Sequence, residues 1–210
     1  MPVEVLIEAV DRADSADDLL AAVEDLADSC DETAIPTLIQ VLGFNNPGAA
    51  VAAVDGLSRI GKPAVLPLLE QLDGYNYGAR AWAIRALSQI GDPRAFEILV
   101  TAAVDFSLSV RRAAVKGLGS LQWEELEIED RSSFQQKARE ILLQTTSDPE
   151  WVVRYSTIVG LEILSRNLTT TDARAVRSIE IRLQEIERED TEIAVRARAA
   201  LARQRLVRER

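Results

Sequence analysis

The sequence predicts an all-α solenoid, a superhelix of about five helical repeats, and three observations carry that prediction. The first is a segment that copies itself about thirty residues on. Gly48-Ala-Ala-Val-Ala-Ala-Val-Asp-Gly-Leu-Ser-Arg-Ile-Gly61 aligns without a gap on Gly78-Ala-Arg-Ala-Trp-Ala-Ile-Arg-Ala-Leu-Ser-Gln-Ile-Gly91, with seven of the fourteen positions identical. The second is spacing: Ala79, Ala83, Ala86, Leu87 and Ile90 fall on one stripe of a helix, and no run of alternating apolar and polar residues competes. The third is punctuation. Gly61 and Gly91 stand where a helix ends at least steric cost in the left-handed conformation. Pro36, Pro63 and Pro93 stand at or near the first turn of the next helix, where a missing N–H does no harm.

Taken along the chain, residues 1–33 read as acidic N-terminal capping helices. Leu19, Val23 and Leu26 form an apolar stripe that Cys30 extends, so the thiol is expected in the core. Residues 34–123 read as three well-matched repeats, each a helix, a loop, a second helix and a Gly-x-Pro corner. Leu42 and Leu72, like Asn46 and Asn76, carry the copying into the connection ahead of each Gly-Ala start. A third copy, Ser109-Val-Arg-Arg-Ala-Ala-Val-Lys-Gly-Leu-Gly-Ser-Leu121, sets Leu118 thirty-one residues after Leu87. Asp92 and Ser147 or Asp148 have the chemistry of N-caps. Residues 124–132, opening with Glu124-Glu-Leu-Glu-Ile-Glu-Asp130, read as an acidic loop or insertion. Residues 133–210 read as two divergent repeats with a basic C-terminus, recognisable at Trp151-Val-Val-Arg-Tyr-Ser-Thr-Ile-Val-Gly-Leu161 and Ile193-Ala-Val-Arg-Ala-Arg-Ala-Ala-Leu201. The whole is expected to form one continuous solenoid domain.

Composition narrows the function. The 210 residues are 47% apolar but only 5% aromatic, enough for a continuous core with small side chains at the helix seams. The net charge is −10, and all of it lies in residues 1–33, which hold eleven acids and one base, Arg12; the remaining 177 residues carry 23 charges of each sign. At the far end Arg196, Arg198, Arg203, Arg205, Arg208 and Arg210 face a single acid, Glu209. No basic stripe crosses the middle of this acidic chain, which argues against nucleic acid as a partner. No apolar run approaches the roughly 18 residues of a spanning helix and nothing resembles a signal peptide, so a soluble, cytoplasmic protein without membrane insertion is expected. Histidine is absent. That removes the commonest general base and metal ligand, so neither a catalytic triad of the ordinary form nor a metal site is expected. The one cysteine excludes an intramolecular disulfide.

Function should then reside in slots that break the repeat. Arg80, Arg111, Arg154 and Arg196 do not, because each holds the same slot near the start of the second helix of its unit. A guanidinium repeated there is expected to bridge neighbouring units through carboxylates or carbonyls. Other slots vary: Ala52, Trp82 and Ala113 are equivalent, as are Asp55, Arg85 and Lys116. Trp82, Arg85 and Gln89 share one flank of a helix. The loop just ahead holds Tyr75, Asn76 and Tyr77, matched one unit earlier by Phe44-Asn-Asn46. Rings, amides, a guanidinium and Asp55 on adjacent units suit a planar anionic ligand or a protein surface. The structural alternative is that Trp82 fills a gap between units and the tyrosines pack on the next corner.

Leu42-Gly-Phe-Asn-Asn-Pro-Gly-Ala-Ala-Val-Ala-Ala-Val-Asp-Gly-Leu57, Leu72-Asp-Gly-Tyr-Asn-Tyr-Gly-Ala-Arg-Ala-Trp-Ala-Ile-Arg-Ala-Leu-Ser-Gln-Ile-Gly-Asp-Pro93 and Ser107-Leu-Ser-Val-Arg-Arg-Ala-Ala-Val-Lys-Gly-Leu-Gly-Ser-Leu121 together resemble the HEAT-like bilin lyases of phycobilisome assembly. Among these the chain is most similar to the F-type (beta) subunits of the heterodimeric E/F phycocyanobilin lyases. The resemblance is strong over about residues 5–123 and generic in the tail. It implies a right-handed α–α superhelix of HEAT-like repeats, an E-type partner subunit, and attachment of phycocyanobilin by a thioether to a cysteine of the phycocyanin alpha subunit. Phycocyanobilin is then the substrate, and no other cofactor is implied. Isomerising relatives carry a short His-Cys motif, and the lack of histidine argues against that variant. The chemistry of the implied ligand suggests roles. Propionates call for Arg80, Arg85 or Arg112. Pyrrole nitrogens, protonated in the reactive form, call for Asp55 or Asp105, and ring faces for Trp82, Tyr75 or Tyr77, with Asn76 between the tyrosines. Two other classes fit the same repeats: a non-enzymatic phycobiliprotein-binding protein acting as a chaperone or in phycobilisome degradation, and a general HEAT scaffold. Covalent, denaturant-resistant fluorescence on the alpha subunit separates the lyase from both.

Overall fold

The computed structural model describes residues 1–73, 77–168 and 172–208. Its described residues are helical throughout, apart from short 3-10 turns and connections, and gather in two compact units, Met1–Ala95 and Phe96–Arg210. Among the described residues no helix is long and apolar enough to cross a membrane.

The first unit holds three helix pairs: α1 (Val3–Arg12) with α2 (Ala16–Asp28), α3 (Ile35–Val41) with α4 (Pro47–Ile60), and α5 (Val65–Glu70) with α6 (Tyr77–Ile90). The second helices stack in series, α4 packing on α2 and on α6, while α1, α3 and α5 each lie against the second helix of their own pair. Side chains at the helix starts fix this arrangement. Ser15 Oγ accepts the Asp18 N–H at 3.0 Å and caps α2. Asn46 does two things at once, for its Oδ1 accepts the Ala49 N–H at 3.1 Å to cap α4 and its amide donates to the Ala16 carbonyl at 2.9 Å. The corners follow the sequence pattern: Gly61 and Gly91 have φ of 78° and 72°, and Pro63 and Pro93 lie in the 3-10 turns that follow. The α2–α4 seam is closed by small residues. Ala49, Ala50 and Ala53 are fully buried, and a Cβ added at Gly56 would stand 2.7 Å from Ala27 Cβ.

One expectation fails in this unit. Cys30 is exposed, not part of the core. Its helix ends at Asp28, and Cys30 itself turns to φ +50°, so the apolar stripe of α2 stops at Leu26 and Ala27. Asp31 then accepts the Thr33 N–H at 2.9 Å and starts the next turn. The apolar periodicity runs on past the point where the capping groups redirect the chain.

The second unit repeats the plan, with longer helices in its last two pairs: α7 (Phe96–Ala102) with α8 (Leu108–Gly119), α9 (Ile128–Thr145) with α10 (Trp151–Leu168), and α11 (Ala173–Glu189) with α12 (Ile193–Arg208). Here α10 packs on both α8 and α12. The α8–α10 approach is the tighter for two glycines: a Cβ at Gly119 would lie 2.1 Å from the Gly160 carbonyl oxygen. A ring cluster anchors the connection into α9, with Phe96 and Phe134 stacked at 4.4 Å and the buried Trp123 edge-on to Phe96 at 6.4 Å. The acidic stretch 124–132 is short as a loop. Glu124 and Glu125 belong to the 3-10 turn Trp123–Glu125, and α9 begins at Ile128 with Glu129 and Asp130 in its first turn, where the helix dipole favours acids.

Candidate functional site

The repeated arginines form the ladder that their spacing suggests. Arg111 makes a two-point bond to Asp148, Nε to Oδ2 at 2.7 Å and Nη2 to Oδ1 at 3.0 Å, while its Nη1 donates to the carbonyls of Asp105 and Phe106. Arg154 does the same one repeat on, bonding Asp190 at 2.8 and 2.9 Å and the carbonyls of Asp148 and Pro149. Arg196 donates to the Asp190 and Thr191 carbonyls at 2.7 and 3.1 Å, and Arg80 to the Leu72 carbonyl at 3.3 Å. Each aspartate also caps the turn below it, Asp148 accepting the Glu150 N–H and Asp190 the Glu192 N–H. The Arg154 bond holds the Asp190 carboxyl below its usual range, and Asp148 and Asp190 hold Arg111 and Arg154 more firmly protonated. Paired fork geometry with most of both side chains shielded makes these structural ties between repeats.

Asp105 occupies the ladder slot of Asp148 and Asp190, six residues before an arginine, and its carboxylate accepts the Ser107 N–H at 2.8 Å. It is therefore engaged at a turn. Arg112, next to the ladder arginine, is exposed on α8.

In the first unit the structure brings two of the expected residues together. The Arg85 guanidinium lies over the Trp82 ring, 5.4 Å from its centroid, both side chains half-buried on α6. Their i, i+3 spacing places them on one flank, and the cation–ring attraction orders the arginine there, worth about 0.5–1 kcal/mol at a partly exposed site. On α4, which packs against α6, Asp55 holds the register of Arg85 and is exposed; among the described residues its carboxylate has no hydrogen-bond or ion-pair partner. The flank thus presents an indole, a guanidinium held along it and a carboxylate on the adjoining helix. Such a surface can stack a flat conjugated ring, hold an anionic substituent and favour a protonated nitrogen. Tyr75 and Asn76 lie outside the described residues, as does the side chain of Tyr77.

Sequence reasoning missed one ionic cluster. Glu162 on α10 is buried and is met by Arg198, Arg166 and Arg205. A signal was present in the repeat register, for Arg198 stands two residues after the ladder arginine, the slot held by Trp82, Ala113 and Ser156.

The chain is similar to known proteins in both sequence and fold. A family model described as HEAT repeats matches residues 3–74 and 67–162. The chain is 56% identical over 165 residues to phycocyanin alpha phycocyanobilin lyase CpcF of a Synechocystis species, covering 78% of this chain and 77% of that protein. It is 51% identical to a phycobilisome maturation protein of Synechococcus elongatus, over 96% of both chains. Among solved structures it is similar to a chain in the complex of CpcE and CpcF of phycocyanin lyase from a Nostoc species, with a TM-score of 0.74 and 50% identity, covering 82% of this chain and 99% of that one. With two matches to the HEAT-repeat model and about half of the aligned residues identical in these relatives, the chain belongs to the F-type, or beta, subunit family of the HEAT-repeat phycocyanobilin lyases.

Proposed function

We propose that this chain is one subunit of a two-subunit lyase that joins phycocyanobilin to a cysteine of the phycocyanin alpha subunit in the cytoplasm, and that the Trp82–Arg85 flank with Asp55 helps to position the bilin. The observation that supports this role is the Arg85 guanidinium lying over the ring of Trp82, whose slot holds alanine in α4 and α8. A ring face and a cation ordered together fit a flat tetrapyrrole with anionic side chains.

The bond-forming step asks little of the protein's own side chains. The acceptor thiol adds across the ethylidene double bond of ring A: a carbon–sulfur bond forms, the π bond breaks, and the thiol's proton ends on the neighbouring ring carbon. No electrons are gained or lost, so no oxidant or reductant is needed. A lyase of this kind works by fixing which carbon and which face the thiolate reaches, and a well-held geometry is worth orders of magnitude in rate. Arg85 would hold a propionate, Trp82 would stack on a pyrrole ring, and Asp55 would favour the protonated, more electrophilic bilin. Arg80 and Arg112 are further propionate candidates; Arg80 already donates to the Leu72 carbonyl. Asp105 is the weaker carboxylate candidate because it serves the Ser107 turn.

Reconstitution tests the function. The purified chain, an E-type subunit, the apo-alpha subunit and phycocyanobilin are mixed, omitting each protein in turn, and bilin fluorescence is read on a denaturing gel. A covalent adduct that needs both solenoid subunits supports the proposal. An adduct of the same yield and spectrum without this chain overturns it and favours a non-covalent role.

A further inference from the structure

We infer that the second unit carries an anion site, built from Arg166, Arg198 and Arg205 around Glu162, that takes a carboxylate from outside the chain. Glu162 is 1% exposed and Arg198 7%. Arg198 Nη2 donates to Glu162 Oε2, Arg166 Nη2 donates to Oε1 at 2.7 Å, and Arg205 Nη1 reaches that same oxygen at 3.3 Å. Three guanidiniums therefore converge on one carboxylate; Arg166 is engaged elsewhere as well, so Arg205 is the cation in surplus. Arg198 has a second observation attached to it, because its Nη1 is buried and among the described residues has no hydrogen-bond partner.

The repeat register makes the cluster exceptional. Arg198 stands where α8 has Ala113 and α10 has Ser156, and Glu162 stands where α8 has Gly119. The α10–α12 seam has thus replaced two small residues with a buried ion pair. A buried pair gives little net stability over an apolar contact of similar volume, so packing does not account for the exchange. Neither does it account for the further arginine: Glu162 is neutralised by Arg198 alone, yet Arg205 brings a charge to its other oxygen with 49% of its side chain exposed. Arg205 makes only that one long bond among the described residues. About half of its side chain stays exposed, beside the buried Arg198. A fork of guanidinium donors matches a carboxylate, which it binds with two parallel bonds. Such a group can come from a bilin propionate or from an acidic side chain of a protein partner.

Binding of phycocyanobilin, of its dimethyl ester and of citrate to the wild-type chain, Arg205→Gln and Arg166→Gln tests the site, with circular dichroism confirming that each variant keeps its helices. Loss of one charge-assisted bond corresponds to about a tenfold or larger change in affinity. If the free acid binds wild type about tenfold tighter than the ester and Arg205→Gln abolishes the difference, the site takes a bilin propionate. If acid and ester bind alike, or neither binds, but citrate at matched ionic strength raises the wild-type melting temperature by about 2 °C or more and that of Arg205→Gln by less than half as much, the carboxylate comes from a protein. Equal responses of wild type and both variants to all three probes overturn the inference. The citrate arm does not depend on the lyase proposal, so failure of bilin binding and failure of this site are told apart.

Discussion

Replacing Gly160 by alanine sets two physical effects against each other, and the structure says which wins. Gly160 lies in the interior of α10, where alanine is favoured over glycine by about 1 kcal/mol. Propensity alone therefore predicts a more stable protein. The new Cβ would lie 2.3 Å from the carbonyl oxygen of Val115 and 3.2 Å from Leu142 Cδ2. Ordinary contact begins at 3.4 Å, so α8 and α10 must part by about 1 Å. The oxygen belongs to the backbone of α8 and cannot rotate aside, and Val115, Leu118, Leu142 and Leu161 are all fully buried beside the seam. Overpacking costs about 1–3 kcal/mol, and a backbone obstacle places this case at the upper end. Against the propensity gain, the net expectation is a loss of about 1–2 kcal/mol. Urea unfolding followed by far-ultraviolet circular dichroism measures it. Gly48→Ala is the control, since its nearest neighbours stand at 3.4 Å and its effect should stay within about 0.5 kcal/mol. Gly160→Ala unfolding at the same or a higher urea midpoint than wild type would refute the packing argument.

Three further outcomes are expected. Asp190→Asn should destabilise the protein at neutral pH, and the gap to wild type should close on acidification. The Arg154 bond depresses the folded carboxyl's pKa, so the stability it contributes is fully present above the ordinary value near 4 and disappears as pH falls through the lower folded value; a gap that persists unchanged at pH 2 would contradict it. Arg111→Met should cost about 2 kcal/mol, less than the 3–5 of a fully buried pair because both side chains keep slight exposure, and Asp148→Asn in the same background should add little, as a double-mutant cycle of thermal melts would show. Full additivity would mean that the two residues act separately. Cys30 in the folded protein should react with a thiol reagent about as fast as in urea, since it is exposed past the end of α2; reaction only after unfolding would restore the buried reading.

How much could be read from the sequence depended on whether the signal was local or came from pairing across repeats. Corner geometry was legible because Gly61 and Gly91 need a positive φ that few other residues adopt. The arginine ladder was legible because Arg111, Arg154 and Arg196 recur at one slot, and each finds the carbonyls six and five residues before it. Trp82 and Arg85 met as their three-residue spacing requires. Cys30 was misread because helical periodicity carries no information about where a cap ends a helix. The Glu162–Arg198 pair was invisible for a different reason. Its partners lie 36 residues apart on α10 and α12, and neither side chain signals its burial by type, since charged residues are ordinarily exposed. Only the register of the repeats places both at slots where α8 carries small residues, Ala113 and Gly119.

The claim that matters most is that the Trp82–Arg85 flank positions the bilin. The rate of covalent attachment to the alpha subunit, measured with the E-type subunit and with Trp82→Ala, Arg85→Gln or Asp55→Asn in this chain, tests it most directly, provided that each variant melts within a few degrees of wild type and still binds its partner. A fall of about tenfold or more for Trp82→Ala and for Arg85→Gln is the predicted result, since each removes an interaction worth about 1–3 kcal/mol to a held ligand. Wild-type rates and product spectra from both variants would contradict the account.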